Sequence, residues 1–74
     1  MEKIRFDHSK LQGRIIEKFG SRTAFAQHIN RGESWLSNRL KNKVYFTDED
    51  IYLLSSPENL DIPDAEIPAY FFTV

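Results

Sequence analysis

Apolar residues in the first half of the chain recur at the three- and four-residue spacing of amphipathic helices, and residues that start or stop a helix bound each run. Leu11, Ile15 and Phe19 fall on one stripe of the segment DHSKLQGRIIEKF, with Asp7 placed as its N-cap and Gly20 ending it. Ser21 can cap the next segment. There Phe25 and Ile29 lie four apart, and Ala26 beside them is small enough for a second helix to cross closely. Asn30 stands where the turn needs a left-handed backbone, which Asn tolerates better than most residues. The segment that follows turns Leu36 and Leu40 inward and leaves Ser34, Ser37, Asn38 and Lys41 outward. Residues 22–41 therefore predict two short helices joined by a tight turn, with the spacing of a helix-turn-helix.

Further along, the run Phe46-Thr47-Asp48-Glu49-Asp50-Ile51 fits a capping box closed by Asp instead of Glu, with Phe46 and Ile51 at the staple positions. It predicts a fourth helix through about Leu54. Breaks are expected near Asn42-Lys43 and around Ser55-Ser56-Pro57. The tail from Tyr70 to Val74 is largely apolar, and Val74 and one of its aromatics are expected to be left over for a dimer contact. The expected fold is all-α: one compact domain of four to five helices over residues 1–74. It has an arm at 1–6, the helix-turn-helix at 21–41, and short helical turns with the tail at 56–74.

The segments FDHSKLQGRIIEKFGS, AFAQHI, LSNRLKNK, FTDEDI and DIPDAEIPAYFF together resemble, nearly end to end, small phage proteins of the Cro type within the lambda-repressor-like helix-turn-helix superfamily. The likeness is greatest to the short Cro homologues of Gram-positive temperate phages, a group that includes modulators of repression. It implies a lambda-repressor-like domain and a role in the lysis/lysogeny decision inside a bacterial host. The turn departs from the family pattern. Asn30 stands where Gly is usual, Arg31 where an apolar residue is usual, and Gly32 where Ser or Thr caps the recognition helix. These differences change how the second helix starts and leave an apolar slot that Trp35 is near enough to fill.

At 74 residues, with 41% hydrophobic and 14% aromatic content, the chain has a small core and is expected to be marginal or to rely on a partner. It lacks cysteine, so neither disulfides nor thiolate metal sites are available. No stretch reaches the ~20 apolar residues of a membrane span, and MEKIRFDHSK lacks the apolar centre of a signal peptide. A cytoplasmic protein without membrane contact is the expectation.

The net charge of −1 hides a partition: residues 1–43 hold all ten Lys and Arg residues against four acids, and residues 44–74 hold seven acids and no base. A helical domain with solvated charged faces accounts for this as readily as a function does. Alternatively, Lys10, Arg14, Arg22, Arg39, Lys41 and Lys43 form a basic face for phosphates. The pI near 6.1 falls short of the basic balance of nucleic-acid binders, so affinity for DNA alone is expected to be modest.

Catalysis is not expected. His8 and His28 lie on different predicted helices with no acid at ligand spacing, and read as surface or capping residues rather than metal ligands. Ser, His and Asp show no nucleophile-and-base arrangement, and the glycines form no phosphate loop, so no cofactor is implied.

Two functions remain. In one, the protein is an antirepressor or modulator of repression that binds the phage repressor through Arg31, Glu33, Ser34, Trp35 and Asn38, alone or jointly with DNA. Glu33 opposes phosphate but suits a basic partner helix, and Trp35 is either an edge of the core or an exposed anchor. In the alternative, a Cro-like repressor reads operator DNA in the major groove as a dimer, with Arg22, Lys41 and Lys43 on phosphates and Ser34, Ser37 and Asn38 near bases. The expected assembly is a monomer or a weak homodimer.

Overall fold

A computed structural model describes residues 4–74, and every regular element in that span is helical. The order is α1 (Ser9–Phe19), α2 (Arg22–His28), α3 (Glu33–Leu40), α4 (Asp48–Ser55), a 3-10 turn (Asp64–Glu66) and α5 (Ile67–Phe71). The all-α architecture expected from the apolar spacing is the one adopted, with both predicted breaks in place.

The helix ends follow from local chemistry. The Ser21 hydroxyl accepts the Ala24 N–H at 3.0 Å and starts α2. Asn30 takes φ 59°, which lets the N–H groups of Asn30 and Arg31 close on the carbonyls of Gln27 and Ala26. Asn42, at φ 65°, ends α3 in the same way, with Lys43 N–H on the Asn38 carbonyl at 2.9 Å and its own N–H on Arg39. Gly20 ends α1 at φ 84°, a conformation that favours glycine. The capping box is complete: the Asp50 N–H donates to Thr47 Oγ1 at 3.1 Å and the Thr47 N–H to Asp50 Oδ2 at 3.0 Å.

The start of α1 differs slightly from expectation. His8, not Asp7, occupies the N-cap. Asp7 instead accepts the backbone N–H and the hydroxyl of Ser9, at 2.9 and 2.6 Å. Those two Ser9 bonds, with a smaller contribution from His8, outweigh desolvation and hold the Asp7 carboxyl below its ordinary range.

Leu11, Ile15, Phe25, Leu36, Leu54, Leu60 and Phe71 are among the residues that fill the core. Phe19, Trp35 and Phe46 pack against its edge. α2 lies against both α1 and α3, and Ala26 is 1% exposed within that packing. Ala26→Leu is therefore expected to cost about 2 kcal/mol by overpacking. An unchanged melting temperature would show that the site has room for three further carbons.

Both ends of the described span are tied to this core. The Phe6 N–H donates to Asn42 Oδ1 and Asn42 Nδ2 donates to the Phe6 carbonyl, both at 2.9 Å, while the Asp7 N–H reaches the Thr73 carbonyl at 2.6 Å. Part of the arm expected over 1–6, residues 1–3, lies outside the described residues. Asn42→Gly keeps the left-handed backbone but deletes both bonds to Phe6. It should lower stability by about 1–2 kcal/mol in denaturant titration, and an unshifted midpoint would mean that the pair contributes nothing net. In the tail Tyr70 and Phe71 are buried, whereas Phe72 and Val74 are 49% and 87% exposed.

Candidate functional site

The surface singled out by the sequence is the turn between α2 and α3 together with the first half of α3. Gly32 occupies the α3 N-cap in an extended conformation without a side-chain cap bond, and Glu33 follows, exposed, in the first turn. A carboxylate there is favoured by the helix dipole. Ser34 and Arg31 are also exposed.

Trp35 is half-buried against the core edge, so its indole both closes the core and shows part of its surface. The Arg39 guanidinium lies 4.2 Å from the ring centroid and that of Arg31 lies at 5.6 Å. Arg39 Nε also donates to Asp50 Oδ2 at 3.0 Å, in a pair whose side chains are only 15% and 13% exposed. Burial pulls the Asp50 carboxyl upward, but the Thr47 N–H, the Arg39 guanidinium and the Thr47 hydroxyl outweigh it and leave it below its usual value. One carboxylate thus closes the α4 capping box and anchors the cation that covers Trp35.

This arrangement corrects the basic face drawn from sequence. Arg39 is taken up by Asp50 and Trp35. Arg14 clips the turn after α4 onto α1, donating to the carbonyls of Leu60 and Asp61 at 2.9 and 3.0 Å while pairing with Glu17. Lys10 Nζ sits 4.8 Å from the Tyr70 ring centroid. Arg22, Lys41 and Lys43 are exposed.

Ser37 and Asn38, expected to point outward, are half-buried. The chain after α3 folds back on its last turn, where the Asn38 carbonyl receives both Lys43 and Val44 N–H. Of the two histidines expected at the surface or at a cap, His8 does stand at the α1 N-cap, but its side chain makes no cap bond and is buried. His28 is exposed, with Nε2 3.1 Å from the Glu58 carbonyl, but His8 is 5% exposed, with Nδ1 3.2 Å from the Leu40 carbonyl. Its burial was hidden because it depends on Phe46 and Leu40, far away in sequence. The same holds for the Arg39–Asp50 pair: each residue was legible in its own helix, and the contact between them was not.

Chemically, this surface combines a half-exposed indole, a carboxylate, small hydroxyls and the exposed Arg31 guanidinium of the turn. Arg39, the one basic residue inside α3, is already paired. Among the described residues, no three His, Asp or Glu side chains come together to hold a metal ion, and no helix is long and apolar enough to cross a membrane.

Comparison with known proteins gives a consistent picture. Residues 4–74 match the family described as "Protein of unknown function (DUF739)". No curated protein matches the chain. Among solved structures, the modulator of repression (MOR) of the temperate bacteriophage TP901-1 from Lactococcus lactis is 34% identical over 90% of this chain and 88% of that one, with a TM-score of 0.79. With this fold, these helix ends and a likeness that spans nearly its whole length, the chain belongs to the DUF739 family and is of the modulator-of-repression type of small phage proteins.

Proposed function

We propose that the protein modulates phage repression as an antirepressor, binding the phage repressor protein through Arg31, Glu33, Ser34, Trp35 and Asn38, alone or jointly with DNA. Its likeness to a phage modulator of repression supports this class of role. The observation that carries the choice of partner is the engagement of Arg39. With that guanidinium held by Asp50 and stacked on Trp35, α3 offers an exposed carboxylate and an aromatic edge, but no unpaired cation of its own. The Glu33 carboxylate opposes phosphates and suits the basic DNA-reading face of a repressor, with Arg31 the exposed cation of the adjoining turn. An indole rim framed by two guanidiniums is also the kind of rigid anchor that dominates protein interfaces.

A second reading, operator binding in the Cro-like manner, is favoured by the exposed Arg22 at the start of α2 and Lys41 just past α3. On that reading Ser34, Ser37 and Asn38 lie near bases and Lys43 near a phosphate. A mobility-shift assay on the neighbouring intergenic DNA, with and without the cognate repressor, separates the two. The antirepressor reading expects no retarded band from the protein alone, and either loss or supershift of the repressor band. A specific shift by the protein alone, unaffected by repressor, supports the operator reading instead.

A further inference from the structure

At the C-terminal end of α4 lies an open groove of about 380 Å³. One wall is the last turn of the helix, with Tyr52, Ser55 and Ser56, and the other is the segment 61–64. Backbone bonds hold the walls together, since the N–H groups of Asp61 and Ile62 donate to the carbonyls of Ser56 and Ser55, both at 3.0 Å. Arg14 fixes the second wall from α1 by donating to the Leu60 and Asp61 carbonyls. Pro57 and Pro63, both on the lining, stiffen the backbone at either end of the turn. The groove is therefore formed before anything enters it, and little chain freedom is left to lose on binding.

The side chains of this groove accept hydrogen bonds far more than they donate them. The hydroxyls of Ser55 and Ser56 both give their protons to the Tyr52 carbonyl, at 3.4 and 2.8 Å, which leaves their lone pairs as acceptors. Asp61 and Asp64 are exposed on the lining, and among the described residues neither carboxylate takes part in an ion pair. Arg14, the cation that reaches this turn, is committed to two backbone carbonyls and to Glu17. The carbonyl end of α4 adds partial negative charge, and the last turn of that helix carries no basic residue to meet it. Tyr52, 78% exposed, supplies an aromatic face, and its phenol is the one side chain of the lining with a proton left to give. The fitting ligand brings positive charge and several donors but needs no donor in return. A guanidinium has five N–H donors, no acceptor, and a plane that stacks on an aromatic ring. A metal ion is less suited, because no three acidic or imidazole groups converge here.

The surroundings indicate the source of that guanidinium. Asp48 and Glu49 are exposed one turn back along α4, four and three residues before Tyr52 and so on its side of the helix. Glu58 and Glu66 are exposed in the stretches that adjoin the second wall, and residues 44–74 contain no Lys or Arg at all. A free guanidinium meets only the groove, whereas a chain with further basic residues also meets the acids around it. We propose that this groove docks an arginine side chain of a basic partner polypeptide, the guanidinium stacking on Tyr52 and donating to Asp61 and Asp64. None of Arg31, Glu33, Ser34, Trp35 or Asn38 lines the groove, so the site is separate from the α3 surface and stands or falls independently of the function proposed above.

The test is a heteronuclear NMR titration of the whole chain at low salt with the blocked peptide Gly-Arg-Gly-Arg-Gly, its lysine and glutamine counterparts, and blocked arginine alone. Saturable shifts centred on Tyr52, Ser55, Ser56, Asp61, Ile62 and Asp64 are expected for the arginine peptide. The lysine peptide should bind about threefold more weakly, for want of stacking on Tyr52, the glutamine peptide should not bind, and blocked arginine should bind less tightly than the peptide. The double variant Asp61→Asn/Asp64→Asn should lose about fivefold in affinity, and Asn suits the positive φ of 52° at position 61. Tyr52→Leu should bring the arginine peptide down to the level of the lysine peptide, a change that loss of charge alone would not produce. The proposal is overturned if the arginine peptide does not saturate, binds elsewhere, binds no better than the lysine peptide, or ignores the double substitution. Blocked arginine binding as tightly as the peptide overturns the polypeptide source. Groove shifts that grow with protein concentration in the absence of peptide overturn the foreign partner and assign the groove to the basic half of a second copy. The peptide arms on the parent protein decide the question even if a variant fails to fold.

Discussion

Asp50→Ala is expected to destabilise the fold by about 3 kcal/mol. Removing one member of a buried ion pair costs ~3–5 kcal/mol, because the other charge is left in a poor solvent, and the small residual exposure of Arg39 and Asp50 places this pair at the lower end. The substitution also removes the acceptor for the Thr47 N–H, so α4 loses half of its capping box. A domain of this size has little in reserve, since total stabilities are on the order of 5–15 kcal/mol. Combining Asp50→Ala with Arg39→Met should recover part of the loss, because an apolar replacement leaves no stranded charge.

Acid should act on the same pair. The Asp50 carboxyl is held below its ordinary value in the folded protein. Its contribution is therefore complete above the unfolded carboxylate range, about pH 4, and is lost as pH falls through the lower native value. Urea titrations at neutral and acidic pH check both points. The parent should weaken on acidification more than Asp50→Ala does, whereas a variant as stable as the parent at neutral pH would mean that the pair does not hold α3 to α4.

Much of the helical frame was legible because its signals are local. The apolar stripe of Leu11 and Ile15, the Ser21 cap and the Thr47–Asp50 box each lie within one or two turns of chain, and each appears in place. Asn30 was readable for the same reason, since a left-handed turn residue is recognised by type. The equivalent role of Asn42 was only half legible. A break was expected there, but the buried bonds to Phe6 join residues thirty-six apart and leave no periodic trace.

The site was less readable than the fold because side-chain partners decide what a charge can do. As letters, Arg14 and Arg39 look like cations for phosphate, but in space one holds a carbonyl turn and the other a carboxylate and an indole. His8 shows the converse. A histidine beside an Asp at a helix start reads as a capping residue, and only the arrival of Phe46 and the Leu40 carbonyl buries it.

Trp35→Ala is expected to weaken the complex with the phage repressor by at least about 2 kcal/mol, roughly thirtyfold, as the loss of a central aromatic anchor does. The ring is gripped by Arg39 and Arg31 before any partner arrives, so little side-chain freedom is left to lose on binding. Glu33→Lys should weaken association through like charges, by an amount that shrinks as salt rises. Glu33 is exposed, so this variant loses only the favourable carboxylate at the start of α3, about 0.3–1 kcal/mol, and is expected to stay folded even if Trp35→Ala loosens the core edge.

Isothermal titration calorimetry of the purified cognate repressor into the parent protein, Trp35→Ala and Glu33→Lys, with helicity checked by circular dichroism, tests repressor binding through α3 most directly. Saturable binding by the parent, a loss of thirtyfold or more in Trp35→Ala, and a salt-sensitive loss in Glu33→Lys are the expected results. No heat of binding for the parent, or equal affinities in all three folded proteins, would contradict it.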